Sequence, residues 1–281
     1  MENCTIVNPS TDMHGASKEN IFVALDENKK TLGLILIYPF FDYDIEPEHP
    51  HNLYLHLHIE AETEQKEAIK EMLLEKALQR AAEIKSEAGQ TKTRVYAAFL
   101  KNQQDGIDFY LKRGFTHDEG MHILERNKTA DLSPMDEVQG VSIQPWRMET
   151  EAEQQQFIET HKKIFPRHAY SVESLQELMS LPAWNNFTAF DDDEIAGNIM
   201  VHITPEDGSI GIIEDLFVPQ KWRRRGIARN LLTTALTYFQ DLGVHRVQLE
   251  LWSANKNAFQ LYRSFGFSSI DETEIAVGRY V

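Results

Sequence analysis

In Ile210-Gly211-Ile212-Ile213-Glu214-Asp215-Leu216-Phe217-Val218-Pro219-Gln220-Lys221-Trp222-Arg223-Arg224-Arg225-Gly226-Ile227-Ala228-Arg229-Asn230-Leu231-Leu232, an apolar run carrying two carboxylates passes through a proline turn into a basic loop, and the loop opens a helix. That order makes an anion site. The first backbone N–H groups of a helix have no partner inside it, and the aligned peptide dipoles leave that end partly positive. Gly226 lacks the Cβ that would hold a phosphate oxygen off the backbone, and Ala228 is the next smallest residue. Between Asp215 and Asp241 there is no carboxylate; Lys221, Arg223, Arg224, Arg225 and Arg229 stand there instead. A solvated basic face is the plainer reading. Against it, cations at a helix start oppose the dipole and cost stability unless an anion is present.

Two other phosphate loops are excluded. There is no G-x-x-x-x-G-K-[ST], and one glycine cannot supply G-x-G-x-x-G. Arg223-x-x-Gly226-x-Ala228 resembles the [RQ]-x-x-G-x-[GA] acyl-CoA loop of the GCN5-related N-acetyltransferase (GNAT) superfamily. Downstream, Asn255-Lys256-Asn257-Ala258-Phe259-Gln260-Leu261-Tyr262-Arg263-Ser264-Phe265-Gly266-Phe267 resembles that family's N-x-x-A-x-x-[LF]-Y-x-x-x-G-F. The resemblance covers about Val141 to Val281, with one departure: Pro219 stands four residues before Arg223, where many members have three.

The first half ends on a related pattern. Tyr110-Leu111-Lys112-Arg113-Gly114-Phe115 repeats the Tyr-x-x-x-Gly-Phe of Tyr262 to Phe267, so the first part reads as a divergent copy of the second. The resemblance then implies an α/β (α+β) fold of two tandem GNAT-like domains, each a mixed, mostly antiparallel central sheet flanked by helices. Residues 1–130 are expected to be a degenerate copy, 131–140 a linker, and 141–281 the catalytic domain. Matching Leu73-Leu74 to Leu231-Leu232 puts Gln65, Ala68 and Lys70 where the second copy has Arg223, Gly226 and Ala228, and Glu60, Glu62, Glu64 and Glu67 crowd the same helix start. Carboxylates there suit the dipole and repel a pyrophosphate, so no CoA is expected in the first domain. One or both leading helices are also expected to be missing from it.

The 281 residues carry a formal charge of −16, which argues against nucleic acid as a partner and weakly for a cationic acceptor. Cys4 is the only cysteine, which excludes an intrachain disulfide. The N-terminus lacks a signal-peptide pattern, and the longest apolar run, Leu32 to Phe41, is about half a membrane span. A soluble cytoplasmic protein without a membrane partner is expected. His49, His51, His56 and His58 invite a metal reading, but strand histidines more often point outward and no carboxylate is fixed beside them. The acidic run Asp191 to Glu194 reads as a hairpin turn, so no metal site is expected there either.

Periodicity places strands at Ile21 to Leu25, Leu32 to Tyr38, Leu53 to Ile59 and Arg94 to Leu100, with a helix from Thr63 to Ser86. Asn127 to Gly140 reads as the linker. The second half gives helices at Glu149 to Ile164 and Ser171 to Met179, with strands at Phe187 to Phe190, Ile195 to Ile203 and Ile210 to Val218. A helix follows from Arg223 to Leu242, with inward stripe Ile227, Leu231, Ala235, Tyr238 and Leu242, closed by Gly243. After the strand at Val247 to Leu251 and a short helix to Phe265, the segments Ser268 to Ile270 and Glu274 to Val281 are expected to complete the second sheet.

The resemblance implies acetyl-CoA as cosubstrate and no metal. Pyrophosphate is expected on Arg223, Arg224, Arg225, Gly226, Ile227, Ala228 and Arg229, and the pantetheine arm along Leu216, Phe217 and Val218. Tyr262 matches the tyrosine that gives a proton to the departing thiolate; phenol, with a pKa of about 10, stays protonated at neutral pH. Asn255 matches the motif's asparagine, which bonds the cofactor or caps its own helix. Glu214 is the candidate general base, acting through water. Strand alternation puts it with Ile212 and Leu216, and Asp215 with Phe217 on the other face. Either carboxylate could instead anchor a cationic amine, and the pair resembles that of members acting on polyamines and other amines. The implied activity is N-acetyl transfer to a primary amine of a small molecule, polyamine or peptide. The rival is an acyl-CoA binding or sensing protein without turnover. Nothing in the sequence sets the oligomeric state.

Overall fold

The computed structural model describes residues 4–40, 51–60, 65–89, 92–127, 138–165, 168–205 and 208–281. His49, Glu62, Glu64, most of the loop from Phe40 to Asn52 and linker residues 131–137 lie outside them. The chain divides into a first unit, Met1–Gly120 with Thr273–Val281, and a second, Met121–Glu272.

In the first unit, strands β1 (Thr5–Val7), β2 (Ile21–Leu25), β3 (Thr31–Phe40) and β4 (His51–Ile59) pair antiparallel in sequence order. Helix α1 (Lys66–Glu87) then crosses to β5 (Thr93–Leu100), which lies parallel to the start of β4, and α2 (Gln104–Leu111) follows. Alternation along β3 and β4 sends Ile35, Ile37, Leu53 and Leu55 under the α1 stripe Ile69, Leu73, Ala77 and Ala81. Between β1 and β2 there is only a 3-10 turn, Lys18–Asn20, so both leading helices are absent from this copy among the described residues.

The second unit repeats the plan with the helices in place. After β7 (Ser142–Pro145) come α3 (Glu151–Ile164) and α4 (Val172–Met179), both opened by capping boxes at Thr150 and Ser171. Strands β8 (Asn185–Asp191), β9 (Glu194–Ile203) and β10 (Ile210–Phe217) are antiparallel; α5 (Ile227–Asp241), β11 (Arg246–Trp252) and α6 (Lys256–Ser264) follow. The sheet lies between two apolar layers. Ile213, Ile199, Val201, Leu231 and Leu232 pack on the α5 side, and Met200, Phe217, Phe157 and Leu175 on the side of α3 and α4.

Each sheet is closed by a strand from the far part of the chain. In the first unit, Glu274 to Tyr280 of β12 (Ser268–Tyr280) runs antiparallel to β5. In the second, Met121 to Asn127 of β6 (Thr116–Asn127) runs antiparallel to the whole of β11. The expectation that Glu274 to Val281 completes the second sheet is thus corrected: residues of β6 occupy that edge. Within the first unit the exchange is fixed by Arg94, only 2% exposed, whose guanidinium donates to both Asp118 oxygens at 2.6 and 2.8 Å. A Cβ on Gly278 of β12 would lie 2.7 Å from both Arg94 Nε and Asp118 Oδ2, so glycine is what lets the strand pass.

Candidate active site

The site grows from the end of β10. Its parallel pairing with β11 spans only Ile210 to Ile212, against Arg246 to Gln248. Beyond that point β11 continues beside β6, and the β11-facing edge of Ile213 to Phe217 is left out of the ladder. A strand edge released in this way offers N–H and C=O groups to an extended ligand.

At the same place β10 bulges. Its register to β9 runs Ile213 to Val201 and then Asp215 to Met200, which leaves Glu214 as the extra residue. The bulge changes the expected facing. Asp215 and Phe217 do share the α3 and α4 side, but Leu216 packs with the α5 layer instead of sharing a face with Glu214. Glu214, with its side chain 38% exposed, has Oε2 3.5 Å from His202 Nε2. Asp215 accepts from Tyr170 Oη at 2.7 Å and meets His161 Nε2 at 3.1 Å, both on Oδ2. His161, on the last turn of α3, was not singled out by sequence. Its signal was spacing: with Phe157 four residues earlier, it occupies the buried stripe of α3 inside a run that otherwise reads as basic surface.

After Phe217 the chain turns through Pro219 and a 3-10 turn, Gln220–Trp222. Trp222 is buried and donates its indole N–H to Asp191 Oδ2 at 2.9 Å, while Lys221 pairs with Glu194 at 2.6 Å. The acidic turn between β8 and β9 thus holds the loop from one side. The expectation of a helix from Arg223 is corrected: α5 starts at Ile227, and the three arginines precede it. Two left-handed residues bring this about, Arg224 at φ 65° and Gly226 at φ 87°, the second being the N-cap. A Cβ on Gly226 would meet nothing within 4 Å, so open space lies before the helix start, and it is the left-handed φ that favours glycine there. The first bond of the helix is Asn230 N–H to Gly226 C=O at 3.1 Å, so the N–H groups of Ile227, Ala228 and Arg229 precede any i−4 acceptor.

The cations divide by what already holds them. Arg223 Nε donates to Val218 C=O at 3.0 Å, tying the loop to the strand end. Arg229 donates to Ser264 Oγ at 3.2 Å and lies over the Phe265 ring. Arg224 and Arg225 are exposed. These residues fit a diphosphate, since open N–H groups and a glycine held left-handed lie at one helix start, directly after the exposed Arg224 and Arg225.

Tyr262 lies on α6, buried, with its ring edge-on to Phe267 at 5.6 Å. Burial, and then the charge of Asp215, push its hydroxyl above the usual tyrosine range; burial and the same carboxylate do so for Tyr170. Asn255 caps α6, its Oδ1 accepting Ala258 N–H at 3.1 Å. In the first unit the matching Tyr110 is also buried, and among the described residues its hydroxyl has no hydrogen-bond partner. Its helix start carries Glu67, bonded to Lys70 at 2.6 Å, in place of arginines. The outward side chains of His56 and His58 line a cavity of about 690 Å³ on the sheet face that α3 and α4 cover in the second unit. Among the described residues, no group of three or more His, Cys, Asp or Glu is placed to hold a metal ion.

Residues 147–267 match the model of the acetyltransferase (GNAT) family. Over 106 residues, 37% of this chain and 66% of the other, the sequence is 27% identical to the thialysine N-epsilon-acetyltransferase of Caenorhabditis elegans; the match spans slightly under two thirds of that enzyme. A GCN5-related N-acetyltransferase from Sphaerobacter thermophilus has a similar fold over 95% of this chain and 82% of its own, at a TM-score of 0.51 and 13% identity. A tandem GNAT protein from the clavulanic acid biosynthesis pathway aligns over 92% of this chain and 82% of its own, at 0.47 and 11% identity.

Proposed function

We propose, from the match of residues 147–267 to the model of the acetyltransferase (GNAT) family, that the chain is an acetyl-CoA-dependent N-acetyltransferase acting on a primary amine. One observation carries this reading. A strand freed from its neighbour after Ile212 leads, through two carboxylates at a bulge, into a left-handed glycine at an open helix start.

When bound, an acyl-CoA thioester supplies an activated acyl carbon. The chain's own residues do the rest. N–H groups from Arg224 to Arg229 and the guanidinium groups of Arg224 and Arg225 take the diphosphate. The open edge at Leu216, Phe217 and Val218 pairs with the amide arm, and the amide nitrogen of Asn255, which the helix cap does not use, is left to bond it. Glu214, solvent-reached and with His202 Nε2 3.5 Å from its Oε2, takes the proton of the acceptor amine through water. Tyr262 presents its O–H to the departing sulfur. Its raised pKa lies above that of a thiol, about 8.5, so full transfer is uphill, and it serves as a hydrogen-bond donor while solvent delivers the proton.

The acceptor is a small molecule or peptide bearing a primary amine. The Glu214-Asp215 pair supports an amine of cationic character, and so does the activity in the name of the C. elegans relative. Thiol release from acetyl-CoA in the presence of an amine panel tests the reading. Release with at least one amine, lowered about tenfold or more by Glu214→Gln and Tyr262→Phe, supports it. CoA binding without release from any amine would leave an acyl-CoA sensor.

A further inference from the structure

We propose that His161 and Tyr170 form a two-donor clamp that fixes Asp215 as the anchor for a second positive charge on the acceptor, leaving proton removal to Glu214. The inference rests on the acetyltransferase reading and names the acceptor's class: a molecule with two amino groups, one reacting and one held.

Both donors converge on one oxygen. Tyr170 O–H reaches Asp215 Oδ2 at 2.7 Å and His161 Nε2 reaches the same atom at 3.1 Å. A carboxylate only accepts, so the hydrogen of the His161 ring sits on Nε2. Among the described residues the buried His161 Nδ1 has no hydrogen-bond partner, and the ring lies among Phe157, Phe165, Tyr170 and Phe217 at centroid distances of 4.7 to 5.9 Å. The ring therefore has one polar contact to offer, and it is spent on Asp215. A buried histidine with an orphaned nitrogen costs stability, which is unexplained if packing were its task, since an apolar residue would fill the space without that cost.

Occupying Oδ2 twice leaves Oδ1. Among the described residues no donor reaches that oxygen, and the side chain keeps 18% of its surface open. Asp215 is thus held by two donors on one oxygen while its side chain stays partly open, the arrangement of a recognition group. Glu214 is more exposed, and among the described residues only His202 Nε2, at 3.5 Å, faces its carboxylate, the arrangement of a group that must move a proton. The reacting amine has to be neutral to attack, so the charge that Asp215 holds belongs to a different nitrogen.

The test uses the full chain with 1,5-diaminopentane and pentylamine as acceptors. His161→Leu and Tyr170→Phe are expected to raise KM for the diamine about tenfold while kcat stays within about threefold, because each removes one charge-assisted bond from the anchor. Pentylamine KM stays unmoved. His161→Gln, whose amide N–H can replace Nε2–H, is expected to restore the diamine KM. An unchanged diamine KM in His161→Leu, with only the melting temperature lowered, overturns the clamp. So does a collapse of kcat with loss of its pH dependence in Asp215→Asn, which would make Asp215 the base. Calorimetric titration of the diamine reads the anchor without turnover. If wild type binds it, Asp215→Asn does not, and no thiol is ever released, the clamp stands and the transferase reading falls. If wild type fails to bind it, or binds it no better than Asp215→Asn, the clamp falls.

Discussion

Gly197 on β9 lies directly beneath Ile227, the first residue of α5: a Cβ at Gly197 would come within 2.8 Å of Ile227 Cγ2, 3.0 Å of Leu231 Cδ1 and 3.2 Å of the Phe217 carbonyl oxygen. The same missing atom therefore lets the helix start and the strand end approach each other. Gly197→Ala must push them apart, and in a packed core such an insertion costs about 1–3 kcal/mol. The expected outcome is a folded protein whose CoA affinity falls about tenfold, read by titration calorimetry beside circular dichroism. Unchanged affinity would mean that this spacing does not set the phosphate site.

Glu125 of β6 accepts from Gln248 at 2.7 Å and Arg246 at 2.9 Å, and is 13% exposed. The Gln248 bond first, and then the Arg246 contacts, hold its carboxyl below the usual range. A depressed folded-state pKa stabilises at pH above the unfolded value, about 4.3, and that contribution disappears as pH falls through the folded value. Glu125→Ala should therefore lower the unfolding free energy measured by urea titration by about 1–2 kcal/mol at pH 7, and by much less near pH 3. Equal losses at both pH values would refute the linkage.

Much of the second unit is written locally. Ile227, Leu231 and Ala235 are buried at their helical spacing, although the last stripe position, Leu242, is 44% exposed because the helix has already ended. What could not be read is what depends on distant partners. Thr116–Asn127 has no strict alternation, yet becomes a strand because β11 pairs with it along its whole length. The bulge at Glu214 is an offset between two strands, invisible in either alone, so alternation misplaced Leu216. Arg223 to Arg225 looked helical because they adjoin a helical stripe, and the left-handed turns at Arg224 and Gly226 stop the helix short of them. His161 sits in a polar stretch of sequence, and only Asp215 across the fold explains its burial.

The strand exchange makes Gly278 a stability determinant of the first unit. Gly278→Ala would force Cβ against the half-buried Arg94–Asp118 pair, and such an insertion costs about 1–3 kcal/mol. A correspondingly lowered denaturation midpoint is expected, followed by far-ultraviolet circular dichroism in urea. A midpoint within error of wild type would show that the strand can shift without loss.

The central claim is that a diphosphate is held where Gly226 opens α5. Titration calorimetry of CoA into the purified chain tests it most directly. The account predicts one-site binding, weakened about tenfold by Gly226→Ala, since a side chain forced to φ 87° costs about 1–2 kcal/mol and displaces the loop. No heat with CoA or any of its thioesters would contradict the account at its root.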